Sequence, residues 1–172
     1  KIKEVIIMAE KPLDLLRSAH RTALGELELL EKTSVALKRN EDAAWIDLDK
    51  VFGFFDGELK VHFHHEEAIL FPYLARVIGR EGPIAAMLDE HQSLWRTLDV
   101  LHEKVDELKV AQPDSAGKIA LAVQQISSHI VGLLRSHIQK EDNILFPLAE
   151  EALDPETLRE MVARINAVEA PV

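Results

Sequence analysis

Two stretches of this chain set ionisable groups directly against an apolar run. Residues 62–72 read HFHHEEAILFP, and residues 137–147 read HIQKEDNILFP. Both carry His, then Glu four residues on, a second acidic residue, and the string ILFP, all in one register. Residues four apart on a helix share a face. His62 therefore points with Glu66, and His137 with Glu141. Their apolar flankers, Leu59 with Ile69 or Leu70, and Leu134 with Ile144 or Leu145, continue the same stripe. A further histidine precedes each stretch on a stripe of its own. His20 lies 42 residues before His62, between Leu16 and Leu24, and His91 lies 46 residues before His137, between Met87 and Trp95.

These positions place four imidazoles and two carboxylates in a core. An unpartnered buried carboxylate costs several kcal/mol, a large fraction of a domain's stability. His–Glu ion pairs could compensate, and a metal does it better, because neutral imidazoles coordinate while carboxylates balance the cation. The six groups divide into two sets of two His plus one carboxylate, the donor type that suits non-haem iron. A carboxylate can also bridge two metals. One zinc takes about four ligands and would leave two groups over. The carboxylate-rich Glu-x-x-His pattern of ferritin-like sites is a different arrangement. His20, His62, Glu66, His91, His137 and Glu141 are thus the expected metal ligands. No nucleophile or general acid–base pair can be identified, so no catalytic residue is assigned, and a binding protein is expected rather than a turnover enzyme.

The neighbours of these six carry alternatives. Glu67 and Asp142 match between the repeats and either orient ligand imidazoles or are solvated charge. His64 and His65 have no counterpart, since Gln139 and Lys140 stand there, and are expected to be solvated or to support the ligands. His102 lies eleven residues past His91, about 16 Å along a helix, so it and His129 are read as structural or surface residues. Trp95 is read as core, with shaping of an open ligand position as the alternative. Pro72 and Pro147 each fall inside a helical pattern and should kink it. That kink is either an ordinary bend or a device that re-aims the helix past the site.

The elements that position these groups are helical. A buried stripe of Leu13, Leu16, His20, Leu24, Leu27 and Leu30 or Glu31 marks a helix over about 13–38, with RNED (39–42) as its exit. A second runs over about 43–78, with Gly53 and Gly57 as weak points, and ends at GREGP (79–83). Pro83 suits the first turn of a third helix, about 84–110. After AQPDSAG (111–117), with Asp114 or Ser115 as N-cap, a fourth spans about 118–153. Asp154 as cap and Pro155 in the first position begin a short fifth, ending near Val168. Its apolar face of Leu158, Met161 or Val162 and Ile165 either caps the bundle or forms a homodimer. The expected fold is all-α: one domain over 1–172, an antiparallel up-down-up-down four-helix bundle of two hairpin repeats (about 13–78 and 84–153) with an extra C-terminal helix.

The 172 residues carry a net charge of −10 and contain no cysteine. Disulfides and thiolate metal sites are excluded, and an acidic chain is a poor partner for nucleic-acid phosphates. No apolar run nears the ~20 residues of a membrane span. The VIIM patch near the start is shorter than a secretory core. No membrane partner is expected, and the cytoplasm is the expected location.

The doubled, ordered motif resembles the hemerythrin family in its broad bacterial form, the HHE cation-binding domain, over about residues 13–153. The resemblance implies a four-helix bundle holding an oxo- or hydroxo-bridged pair of iron ions, replaceable by other divalent metals, on the six residues named above. It implies binding or sensing of a small diatomic ligand, O2 or NO, or a response to iron or redox state. The family also includes proteins of nitrosative-stress defence and iron–sulfur cluster repair. A third alternative is a helical scaffold with a structural metal. Oxygen carriers have a second histidine where HQSLW (91–95) places Trp95, and a bridging Asp at the place of Asp142. The four-His, two-Glu set is more similar to the repair and sensor branch, although repair proteins of that branch carry a separate cysteine-containing N-terminal segment and these 172 residues contain no cysteine.

Overall fold

A computed structural model describes residues 13–39 and 41–167. The VIIM patch, Asn40 in the expected exit of the first helix, and Val168 lie outside the described residues. Every regular element among them is helical, and none is long and apolar enough to cross a membrane.

Helix α1 is Asp14–Lys38. Its buried stripe corrects the expected one at one place. Ala23 faces the core and Leu24 is 36% exposed. Two successive steps of four residues, 16 to 20 to 24, drift around the helix, whereas a step of three returns the stripe to the same face.

The second long helix, α2, runs over 43–78 and contains two π-turns, Phe55–Leu59 and Glu66–Leu70. Gly57 lies in the first of these, whereas Gly53 sits in ordinary α-helix. Helix α3 is Pro83–Lys109. The turn before it uses Gly79 at φ 82° and Gly82 at φ 70°, left-handed values that strain any residue with a Cβ. Helix α4 runs over 113–152 with a π-turn at Glu141–Leu145. It begins earlier than expected. Gln112 is its N-cap and Pro113, whose ring presets the helical φ, takes the first position. Asp114 and Ser115 therefore fall inside the first turn. Helix α5 is Pro155–Ala167, capped as expected by Asp154, whose Oδ1 accepts the N–H groups of Glu156 and Thr157.

The proline kinks take a specific form. A helical proline lacks an N–H and crowds the carbonyl four residues back. In both repeats the helix widens into a π-turn just before the proline, and the turn starts at the motif glutamate. Phe71 N–H donates to the Glu66 carbonyl and Phe146 N–H to the Glu141 carbonyl. Such widened turns are frequent at functional sites.

The apolar core falls into two clusters. One contains Ala23, Leu27, Phe55, Leu59, Leu94 and Leu134. The other contains Leu16, Leu70, Phe71, Met87, Leu145 and Phe146. Helix α5 joins the second through Leu158, Met161 and Ile165, so its apolar face caps the bundle. On every long helix the histidines and glutamates fall between segments belonging to the two clusters. They form a polar layer walled by apolar side chains.

Candidate metal centre

The six expected residues converge in that layer. His20 comes from α1, His62 and Glu66 from α2, His91 from α3, and His137 and Glu141 from α4. Both glutamates are fully buried, and the histidines are 1–6% exposed.

Their donor atoms face one another in two pairs. His20 Nε2 lies 3.0 Å from His62 Nε2, and His91 Nε2 lies 3.1 Å from His137 Nε2. Each carboxylate spans the two pairs. Glu66 approaches His62 Nε2 at 3.0 Å through Oε1 and His91 Nε2 at 3.5 Å through Oε2. Glu141 Oε2 lies 3.1 Å from His20 Nε2 and 3.2 Å from His137 Nε2. Yet among the described residues none donates a directed hydrogen bond to any of the four carboxylate oxygens. The paired imidazole nitrogens lie at hydrogen-bond distance from each other, and the carboxylate oxygens stand beside them. Two nitrogens each about 2.1 Å from one ion, at a right angle, would be about 3.0 Å apart, which matches both imidazole pairs. Two overlapping groups can each hold a metal ion: His20, His62, Glu66 and Glu141, and Glu66, His91, His137 and Glu141, with the donor atoms of each group within 4.8 Å of one another. Buried orphan oxygens and a His/Glu donor set fit a metal such as iron.

The charges of the metal-free cluster follow from burial. Burial pushes the Glu66 carboxyl well above its usual range, and the neighbouring Glu141 charge adds to this. Burial also raises Glu141, but the close His137 and His20 imidazoles outweigh it and hold that carboxyl below the usual range. Burial works against a charged His20, yet contact with Asp142 and Glu141 prevails and raises it to about 9. Burial, then the His20 charge, lowers His62 to about 3. A charged His20 and a Glu66 carboxyl that resists ionisation thus limit the negative charge buried in the layer.

The outer ring nitrogens are held from behind. His20 Nδ1–H donates to Asp142 at 2.9 Å, and His91 Nδ1–H donates to Glu67 at 2.7 Å. A proton on Nδ1 leaves the Nε2 lone pair facing the centre. Of the two alternatives for Glu67 and Asp142, orientation of the imidazoles is the one the geometry favours. The bonds cross between repeats, each hairpin steering the first histidine of the other. His137 Nδ1–H donates to Glu90 at 3.0 Å, and the Lys140 ammonium pairs with the other Glu90 oxygen. Rings complete the walls: Phe63 stacks on His91 at 3.6 Å between centroids, and Phe146 on His20 at 5.2 Å.

Glu90 and Phe63 are functional neighbours that motif reasoning missed. Glu90 adjoins His91, but the first repeat has Ala19 at the matching place, so repeat matching could not reveal it. His64 and His65 are half-buried and stay outside both donor groups. His102 stacks on Phe52 at 3.9 Å, and His129 is exposed. Trp95 is half-buried and lies edge-on to Phe63.

Comparison with known proteins agrees with this geometry. The hemerythrin HHE cation binding domain matches residues 11–149. Similar curated proteins are named iron-sulfur cluster repair protein YtfE. One from Yersinia pseudotuberculosis is 30% identical over 132 residues, which is 76% of this chain and 59% of that protein. One from an Enterobacter species is 33% identical over 134 residues, and one from Escherichia coli O157:H7 is 31% identical over 133 residues, with the same shares covered. The chain thus spans 59% of the length of these relatives. A family match over most of the chain, together with a buried His/Glu layer, means that the chain belongs to the hemerythrin HHE cation-binding domain family.

Proposed function

We propose that this chain is a non-haem di-iron protein whose centre takes up a small diatomic molecule, O2 or NO, or responds to iron and redox state. The observation that carries this reading is the set of four buried carboxylate oxygens without hydrogen bonds, set among four imidazole Nε2 atoms. His20 and His62 would hold one iron and His91 and His137 the other, with Glu66 and Glu141 shared. When bound, the iron pair supplies open coordination positions and one-electron redox chemistry. The chain's own part is to keep Nε2 lone pairs aimed inward through Asp142, Glu67 and Glu90, and to exclude water with Phe63 and Phe146. The order of the core along the chain supports an up-down-up-down topology for the four long helices: the two apolar clusters alternate in the sequence on either side of each ligand position.

A second reading, iron–sulfur cluster repair, is favoured by the names of the relatives at 30–33% identity. The two readings separate by experiment. Iron per chain is measured with an anaerobic-to-aerobic optical spectrum, on native protein and on Glu66→Ala. About two irons per chain, with near-ultraviolet absorption that responds to O2 or NO and is lost in the variant, is the expected result. Iron transfer to a cluster-depleted iron–sulfur protein, without a gas response, would instead support repair. Iron-replete protein that retains no metal would overturn both.

A further inference from the structure

The two halves of the centre are not equivalent, and the difference lies behind the ligands. Behind one pair, both outer nitrogens have carboxylate partners: Glu67 for His91 and Glu90 for His137. Behind the other, His20 has Asp142, whereas the buried His62 Nδ1 has no hydrogen-bond partner among the described residues. The sequence gap is plain. Glu90 immediately precedes His91, and the residue preceding His20 is Ala19. The space left is open: a groove of about 520 Å³ lined by Ala19, Thr22, Gly57, Glu58, His62 and His65, in which the Glu58 carboxylate makes no hydrogen bond to His62 Nδ1. At the corresponding place, beside Glu90 and His137, the cavity is only about 10 Å³.

A histidine that coordinates through Nε2 carries its proton on Nδ1. At His137 that proton has a carboxylate acceptor, which fixes the ring and makes it a stronger donor. At His62 the same proton would be buried and unpaired, and the ring would be held by packing alone. We infer that the centre holds its two metal ions unequally. The ion between His91 and His137 is the tight one, and the ion between His20 and His62 is the exchangeable one. Loss of one such supporting partner typically weakens metal affinity by about 10- to 100-fold, and that is the expected gap. This inference rests on the two-metal reading above and deepens it, because it says which ion the chain can give up.

The test is anaerobic titration of metal-free protein with Fe(II) against a competing chelator, read as iron bound per chain. Wild type should fill in two steps separated by about 10- to 100-fold. Ala19→Glu, which supplies the missing carboxylate, should tighten the weaker step and leave the tighter one in place. Glu90→Gln should weaken the tighter step. Should Ala19→Glu fail to fold, anomalous diffraction from wild-type crystals at one equivalent of iron gives the same answer, with the peak beside His91 and His137. Two equal steps, or a first ion beside His20 and His62, would overturn the inference while leaving the two-iron reading intact. Saturation below two irons per chain would refute that reading and the inference with it.

Discussion

Replacing Glu66 by Gln should stabilise the metal-free protein and destabilise it relative to wild type once iron is present. Glu66 is fully buried, and both of its oxygens lack hydrogen bonds among the described residues. Around it stand acceptors: the Nε2 atom of His62 at 3.0 Å, that of His91 at 3.5 Å, and the Glu141 carboxylate. Without a cation the carboxyl must take up a proton to sit among such neighbours, as burial and the Glu141 charge favour, whereas an amide N–H2 finds a partner among them without one. Each buried unsatisfied group costs about 1–3 kcal/mol. Gln replaces one of the two oxygens by a donor, and relieving that one at the low end of the range is worth about 1 kcal/mol. For a chain of this size that corresponds to a rise of about 2–4 °C in Tm. With iron the sign reverses, because an amide does not neutralise the metal charge. Wild type at an iron excess of 1,000 Kd gains about 4 kcal/mol, and the variant loses most of it. Scanning calorimetry of both proteins, in EDTA and in anaerobic Fe(II), measures both signs. A metal-free variant less stable than wild type by a similar amount would refute the reasoning, since it would mean that Glu66 is satisfied within a structural His–Glu network.

Glu67→Gln and Asp142→Asn should each lower iron affinity by about 10- to 100-fold without loss of helix content, checked by chelator competition and circular dichroism. The metal-free protein should lose stability as pH rises. His20 is raised to about 9 in the fold from an ordinary 6.5, so its contribution is complete below 6.5 and disappears as pH passes through 9. Urea midpoints should fall across that window, and His20→Gln should flatten the fall. Iron binding must displace the same proton, so affinity should rise over the same window. Met161→Ala, at a fully buried position of α5, should cost about 2–5 kcal/mol, seen as a lower urea midpoint. Unchanged stability would mean that α5 does not cap the bundle.

Much of the centre was legible because it is written within single helices. The i, i+4 spacing of His62 with Glu66 and of His137 with Glu141 is a property of one helix, and the doubled motif predicted that two such faces would share a site. The same periodicity marked Leu16, Leu27 and Leu30 as core, and the chemistry of helix starts marked Pro83 and Asp154. Local pattern misled where two choices differ by one residue. Leu24 is more apolar than Ala23, yet the phase carried from Leu16 and His20 turns Ala23 inward. At α4, Pro113 outranked Asp114 and Ser115 because its fixed φ sets the first position. The prolines announced a disturbance but not its form, because a π-turn depends on which carbonyl the next free N–H can reach.

What spacing cannot state is anything that passes between helices. Whether Asp142 meets His20, whether Glu67 meets His91, and whether Glu90 rather than any other acid meets His137 depend on the rotation and axial offset of two helices. Packing of the two apolar clusters sets both. The sequence by itself determined the six residues, their helices and the chemistry of their donor atoms, because helical periodicity is local. Only the tertiary structure decided that, among the described residues, three of the four imidazoles are backed by a carboxylate and His62 is not. That asymmetry arises where helices with unequal side chains, Glu90 in one repeat and Ala19 in the other, are brought against equivalent ligands.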